Sequence, residues 1–348
     1  CTFYTVQAFL CILGPSYKLK NRIKMKVFPV TDSTLSADAL NTVVHEKYNF
    51  GADFSCSLFR TGMNDTYFLT NGSVKYVARI YSYNWRTKAA ILEEIKLLNQ
   101  LKDKGLSVSY PIQDSKGSYL QSLNAPEGLR FMVVFSFAEG KKVLFLTNKM
   151  CTTIGTFMAK MHKNTRAFGL ERVNYTEAII LEKPFSFATQ YFSESLDEMV
   201  YLKGLVKELN TSFLDLDAAS WQKGIVHMDI WYDNFNVDSK GEITVFDFDF
   251  CGTGWFVLDV AYFCSQLFHI ETDKKQYDEK RTIFLEAYQS VMPLSKQEIQ
   301  GIPSAGVAAW IFYLGVQSQR FDWSNIFLSE NYLKMFVGRI KSWLDYTK

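Results

Sequence analysis

The predominant periodicity of the chain changes near Phe135–Gly140, from mostly strand-like to mostly helical, and that change limits what it can fold into. Before it, apolar residues recur at every second position in short runs. After it, they recur every third or fourth position over long ones. The first pattern lays side chains alternately on two faces of a strand, and the second builds one stripe along a helix. Strands are expected over 54–60, 66–70, 74–81, 117–123 and 131–137. Asn71-Gly72 signals a two-residue hairpin between the second and third of these. A first helix is expected over 33–48, capped by Ser33 or Asp32. A second runs over 86–104, with Ile91, Ile95, Leu98 and Leu101 on one stripe and Gly105 at its end. Beyond Gly140, helices are expected over 148–162, within 187–219 and through most of 256–347. Short strands around loops fill 224–250, while 163–186 lacks a clean period and reads as a surface excursion. The expected fold class is α+β with two lobes: a small β-rich N-terminal lobe (25–137) with one key helix, and a larger, mostly helical C-terminal lobe (138–348). A cleft lies between them.

Composition narrows the partners. With 38 basic and 36 acidic residues the formal charge is +2. That balance offers no field for nucleic acid or an anionic membrane, and neither is an expected partner. Residues 1–24 hold Lys18, Lys20, Arg22 and Lys24 and no acid; without them 34 basic residues face 36 acidic ones, and the charge becomes −2. This segment reads as a leader outside the fold. It has no basic start before its apolar run and no small-residue cleavage site after it, as an export signal would. Of six cysteines, Cys56, Cys151, Cys251 and Cys264 lie far apart with no C-x-x-C, so buried free thiols and a cytoplasmic setting are expected.

The chemistry concentrates in two short stretches. His227-Met-Asp229-Ile-Trp-Tyr-Asp-Asn234 has the spacing H-x-D-x-x-x-x-N, and Asp247-Phe-Asp249 follows within thirteen residues of Asn234. With only four histidines, such spacing arises by chance in roughly one chain in a hundred of this composition. Phosphoryl transfer needs an aligned hydroxyl, a carboxylate near its proton and divalent metal on the phosphates. Asp229 at a loop tip can face the hydroxyl, and Asn234 and Asp247 offer the oxygen ligands that suit Mg²⁺. His227 reads as a structural hydrogen-bonding residue. Asp233 reads as a turn residue, and Asp249 as either a second ligand or a loop brace.

These residues resemble the catalytic signature of the aminoglycoside phosphotransferase and choline kinase group, within the protein-kinase-like superfamily. The resemblance covers nearly all of 25–348. It implies Asp229 as catalytic base, Asn234 and Asp247 as Mg²⁺ ligands, and Asp259 of Leu-Asp-Val-Ala as the brace of the catalytic loop. It further implies ATP as phosphoryl donor and a small hydroxylated molecule as acceptor. On the nucleotide side Thr61, Gly62, Met63 and Asn64 form a short loop whose backbone N–H groups can approach phosphate. Arg79 stands where the group usually has Lys, and an arginine keeps the charge and can grip phosphate with two N–H groups. Glu94 is its expected helical partner, with Glu93 as runner-up; the two point about 100° apart, so only one can face Arg79. The Ser136 carbonyl and Ala138 N–H are the expected adenine contacts. On the acceptor side, aromatics such as Trp310, Phe312, Tyr313, Phe321, Trp323, Phe327, Tyr332, Phe336 and Trp343 read as packing first and as a cage for a cationic amine second. Glu194, Asp197 and Glu198 read as a solvated helix face. A protein kinase of the same fold and a non-enzymatic nucleotide-binding regulator are the alternatives.

Overall fold

The computed structural model describes residues 28–51, 53–320 and 328–348. The expected leader, Cys1, Cys11, Phe321, Trp323 and Phe327 lie outside them. Five antiparallel strands, β1 (Ser55–Arg60), β2 (Asn64–Thr70), β3 (Lys75–Tyr81), β4 (Leu120–Ala125) and β5 (Gly128–Ser136), form one sheet in the order β1-β2-β3-β5-β4. Helix α1 (Ala37–Lys47) covers one face, where Leu40 and Val44 meet Tyr67, Leu69, Ala78 and Ile80. Strand alternation turns Thr66, Val77 and Arg79 to the opposite face. There, α2 (Lys88–Asp103) packs Ile91, Ile95, Leu98 and Leu101 into a core that continues through the rest of the molecule.

The remainder is mostly helical: α3 (Asn148–Thr165), α4 (Lys183–Ala188), α5 (Asp197–Asp215), α6 (Phe256–Ile270), α7 (Lys274–Gln289), α8 (Lys296–Gln319) and α9 (Glu330–Thr347). Two small ladders interrupt it, β6 (Lys223–Val226) with β9 (Gly252–Trp255), and β7 (Phe235–Val237) with β8 (Ile243–Val245). The two-lobed α+β expectation holds. Helix α8 has mean hydropathy 1.4 over its most apolar window, but 72% of that window is buried inside the fold. Its apolar character is therefore accounted for by core packing.

Four local expectations are corrected. Ser36, not Ser33 or Asp32, caps α1, its hydroxyl accepting from the Ala39 N–H. The hairpin after β2 has four connecting residues, since Thr70 and Lys75 form the last pair. Asn71 Oδ1 takes the N–H groups of Ser73 and Val74, which ends the ladder early. Strand β4 starts three residues late because Asp114 Oδ1 accepts from Lys116 and Ser118 and holds that stretch as a turn. The excursion at 163–186 is no surface loop: Tyr175, Ile180, Leu181 and Pro184 are buried. A π-helical turn (Ala178–Glu182) leads there into α4, which packs on α8 closely enough that a Cβ on Gly315 would lie 2.4 Å from Pro184 Cα. Its period is hidden because a turn closed by i→i+5 hydrogen bonds matches neither the 3.6 nor the 2 repeat.

The connection between the lobes is anchored at Gly140. Its φ is +96°, and an added Cβ would sit 2.1 Å from the Val237 carbonyl oxygen. Lys141 and Val237 exchange backbone hydrogen bonds at 3.0 and 2.9 Å beside it. Gly140→Ala is expected to cost at least about 2 kcal/mol through strain and the lost bridge. Chemical denaturation measures this, and unchanged stability would show that the connection yields freely.

Candidate active site

Ladders β6–β9 and β7–β8 hold the two chemical stretches side by side. His227 directly follows β6, and Asp247 is the second residue after β8. Two residues here adopt left-handed backbone, Met228 (φ +68°) and Asp247 (φ +66°). Non-glycine residues keep that conformation only where their surroundings enforce it. For Met228, Asp259, in the first turn of α6 and 1% exposed, supplies the enforcement. Its carboxylate accepts from the N–H groups of His227 (2.8 Å) and Met228 (2.7 Å) and pairs with His162 Nε2 (3.0 Å).

His227 is fully buried and stacks on Phe248. Its Nδ1 accepts from the Asp229 N–H (3.1 Å), so the proton resides on Nε2, 3.2 Å from the Phe246 carbonyl. Burial pushes its pKa down, keeping the ring neutral. Both ring nitrogens are thus committed to tying the Asp229 loop to the Asp247 strand.

Asp229 lies at the cleft floor. Tyr262 Oη donates to its Oδ1 (2.8 Å), while Asn234 Nδ2 donates to its Oδ2 (2.6 Å) and its carbonyl (3.0 Å). Tyr313 Oη donates to the neighbouring Met228 carbonyl (3.0 Å). Burial raises the Asp229 pKa to about 8; the Asp247 charge adds to this, and the nearby Tyr313 hydroxyl and the Tyr262 and Asn234 hydrogen bonds oppose it. A carboxyl group tuned near neutrality suits proton transfer.

Arg79, 12% exposed at its side chain, bridges Glu94 Oε1 (2.9 Å) and Asp247 Oδ1 (3.1 Å). These two acids outweigh burial and hold the guanidinium more firmly charged than usual. Glu94 also accepts from Tyr81 Oη (3.1 Å) and Arg172 (3.4 Å). Glu93 instead pairs with Lys96 and the Glu171 N–H. One arginine with two carboxylate partners uses its fork as a lysine cannot. Arg79→Lys is expected to cost about 1 kcal/mol, and Arg79→Met about 3 kcal/mol because two acids are left uncompensated. Equal stability of the two variants in urea would count against the bridge.

Asp249 is 2% exposed and fully engaged. Trp85 Nε1 donates to Oδ2 (2.8 Å), and Arg86 reaches both carboxylate oxygens (3.2 and 2.9 Å). Burial alone would raise its pKa, but Arg86, Arg172 and Arg79 hold it below the usual range. Of the two readings left open for Asp249, the geometry matches the loop brace.

Two cavities meet at Arg79, Asn234 and Asp247. One, of about 360 Å³, runs under the sheet to Phe137, Ala138 and Gly140. The other, of about 460 Å³, contains Asp229 and the loop Thr61, Gly62, Met63 and Asn64. The Met63 carbonyl is bound by Ser82 Oγ (2.7 Å) and Arg320 (2.8 Å), and Asn64 Oδ1 accepts from the Ser82 N–H (3.2 Å). Ser136 does not border the first cavity, and its carbonyl accepts from Ser109 Oγ (2.6 Å). Phe135 is core, whereas Phe137 is half-buried at the cavity wall.

The donor set fits a hard divalent ion. Asn234 uses its amide N–H groups on Asp229, leaving Oδ1 for another partner, and Asp247 remains 34% exposed at its side chain. Among the described residues no cluster of three acidic, His or Cys side chains could hold a metal by itself. Two protein oxygens completed by phosphate and water are the arrangement Mg²⁺ favours.

Arg86, Arg172, Tyr262 and Arg320 carry no local sequence signal and were not anticipated. Of the expected aromatics, Trp343 is core, whereas Trp310, Tyr313, Tyr332 and Phe336 line the larger cavity. Glu194 pairs with Lys203, and neither Asp197 nor Glu198 reaches the cleft.

Residues 58–294 match the phosphotransferase enzyme family, and the chain belongs to that family. It is an enzyme of the kinase kind. An uncharacterised protein of Synechocystis is 25% identical over 315 residues, covering 90% of this chain and 86% of that one. A homoserine kinase of Agrobacterium fabrum is 29% identical over 237 residues, covering 65% and 67%. Among solved structures, amicoumacin kinase hAmiN in complex with AMP-PNP, Ca²⁺ and amicoumacin shares the fold, with TM-score 0.72 and 22% identity over 90% of this chain and 94% of that one.

Proposed function

We propose that this chain transfers the γ-phosphoryl group of ATP, with Mg²⁺, to a hydroxyl of a small molecule. The observation that carries this reading is the meeting of two cavities at Arg79, Asn234 and Asp247, with Asp229 in one of them only. Donor and acceptor can thus approach from opposite sides of one point. The part up to Phe137 holds the nucleotide, with the Ala138 N–H at the adenine edge. The part from Ala138 onward carries the base and the acceptor. Asn234 Oδ1 and Asp247 hold the metal, which when bound neutralises phosphate charge.

Asp229 orients the acceptor hydroxyl and takes its proton. Tyr262 and Asn234 fix the carboxylate so that little reorganisation is needed. Arg79 keeps Glu94 and Asp247 in place, and Thr61 and Gly62 offer backbone N–H groups to phosphate. The four described thiols, unpaired and mostly buried, fit a cytoplasmic setting.

The test is ADP release over a panel of hydroxylated acceptors: aminoglycosides, homoserine, choline, ethanolamine, methylthioribose and fructosamines. Asp247→Ala is expected to weaken Mg²⁺-dependent nucleotide binding by about tenfold or more. Binding by that variant as tight as by the wild type, or no wild-type release above an Asp229→Ala control on any acceptor, would overturn the reading.

A further inference from the structure

Beyond the transfer point, the larger cavity runs on between α6, α8 and α9. Gln266, Trp310, Gln317, Tyr332, Phe336 and Arg339 form that end. The four carboxylates that line the cavity among the described residues, Asp229, Asp233, Asp247 and Asp249, sit at the other end. Each is already engaged there. Asp233 pairs with Arg60 and Lys142, Asp247 with Arg79 and Asp249 with Arg86, while Asp229 is held by Tyr262 and Asn234. Among the described residues, the far end therefore has one charged wall residue, and it is a cation.

Among the described residues, no acid lies within ion-pair distance of Arg339. Its guanidinium stands 5.9 Å from the Trp310 ring centroid and is exposed. The positive field at this end is also felt by His269, which packs on Trp310. Burial first, then Arg339 and Lys274, push that imidazole down to about 4. A second group here lacks an answer. Gln317 donates through Nε2 to Tyr332 Oη (3.0 Å), but its buried Oε1 has no donor among the described residues. A buried acceptor without a partner is costly and invites a ligand N–H or O–H.

We propose that the acceptor bears a carboxylate, bound at this end by Arg339, with an N–H or O–H of the same molecule donated to Gln317 Oε1. A planar guanidinium matches a carboxylate with two parallel hydrogen bonds. A cationic acceptor would face Arg339 across an aromatic wall with no carboxylate among the described residues to offset the repulsion, so the aromatics at this end pack and shape rather than cage an amine. The inference rests on the phosphotransferase reading, which supplies the hydroxyl end of the same molecule.

Three four-carbon alcohols that differ only at the far end test it: 4-hydroxybutyrate, 4-hydroxybutanamide and 4-aminobutan-1-ol. Binding to the full chain is measured by saturation-transfer NMR, and turnover by ADP release. The hydroxy acid is expected to bind at least tenfold more tightly than the other two. Arg339→Gln should erase that order, and Arg339→Glu should shift the preference to the amine. Arg339 is exposed on α9, so neither change threatens the core. Equal binding of the three compounds, including no binding by any, or a wild-type preference for the amine overturns the proposal. Asp229→Asn separates it from the parent reading, because that variant should retain the end-group order while losing turnover. An end-group order without any Asp229-dependent ADP release would sink the parent reading alone.

Discussion

Asp229→Asn is expected to lower phosphoryl transfer by about 10²–10⁴-fold, the usual contribution of a positioned general base. The same change is expected to stabilise the empty protein near neutral pH. The unfolded carboxyl titrates at 3.8, and the folded one is pushed up to about 8. Between those values the folded chain binds one more proton than the unfolded chain, so this group's contribution to stability falls as pH rises from about 4 to about 8. Asparagine carries no such slope. At pH 8 the variant should be more stable than the wild type by on the order of 5 kcal/mol, and near pH 4 the difference should vanish. Because the base must be ionised to act, kcat/KM of the wild type should climb with pH and level off above about 8. Thermal melts at pH 4.5 and 8, with a pH–rate profile, check each part. Wild-type-like turnover by the asparagine variant would remove Asp229 from the role of base.

The second large effect is structural. Asp259→Ala removes the acceptor for two buried backbone N–H groups and for His162, and is expected to cost about 3–5 kcal/mol. A Tm lower by about 5–10 °C would follow. Met228 would lose the contact that enforces its left-handed backbone, so the surviving folded enzyme should transfer phosphate poorly even where ATP still binds. Asp259→Asn keeps the shape but turns an N–H₂ toward donors, so an intermediate loss is expected. An alanine variant with native melting and native turnover would show that the catalytic loop holds itself in place without α6.

How much of this was legible in the chain depends on how local the physics is. The helix carrying Ile91, Ile95, Leu98 and Leu101 and the strand carrying Arg79 could be read because each repeat lies within one element. The proximity of Asp229, Asn234 and Asp247 could be read because short ladders on either side bring residues less than twenty apart into one place. Helical angle limited Arg79 to one of Glu93 and Glu94, and the choice of Glu94 followed from the family resemblance of its helix. Less local features were hidden. The π-helical turn before α4 follows neither common period, and the side-chain oxygens of Asn71 and Asp114 outcompete the ladder for nearby N–H groups.

The residues that steady the site lie further still from what a sequence pattern can show. Arg320 binds the Met63 carbonyl from 257 residues away, and Trp85 reaches Asp249 across 164. Arg172, in the segment read as a surface excursion, donates to the Asp249 carbonyl (2.5 Å) and to Glu94. No motif announces such pairs, because an arginine on a surface and an arginine in a buried knot look the same in sequence. By itself the sequence determined the order of strands and helices, the two-lobed class and the set of groups able to move a phosphate, since periodicity and motif spacing act through neighbouring bonds. Only the tertiary structure decided which charges cancel. It shows Asp247, Asp249 and Glu94 already paired, Asp229 pushed up toward neutrality by burial and Arg339 with no acid in reach among the described residues, because burial and long-range contact set those energies.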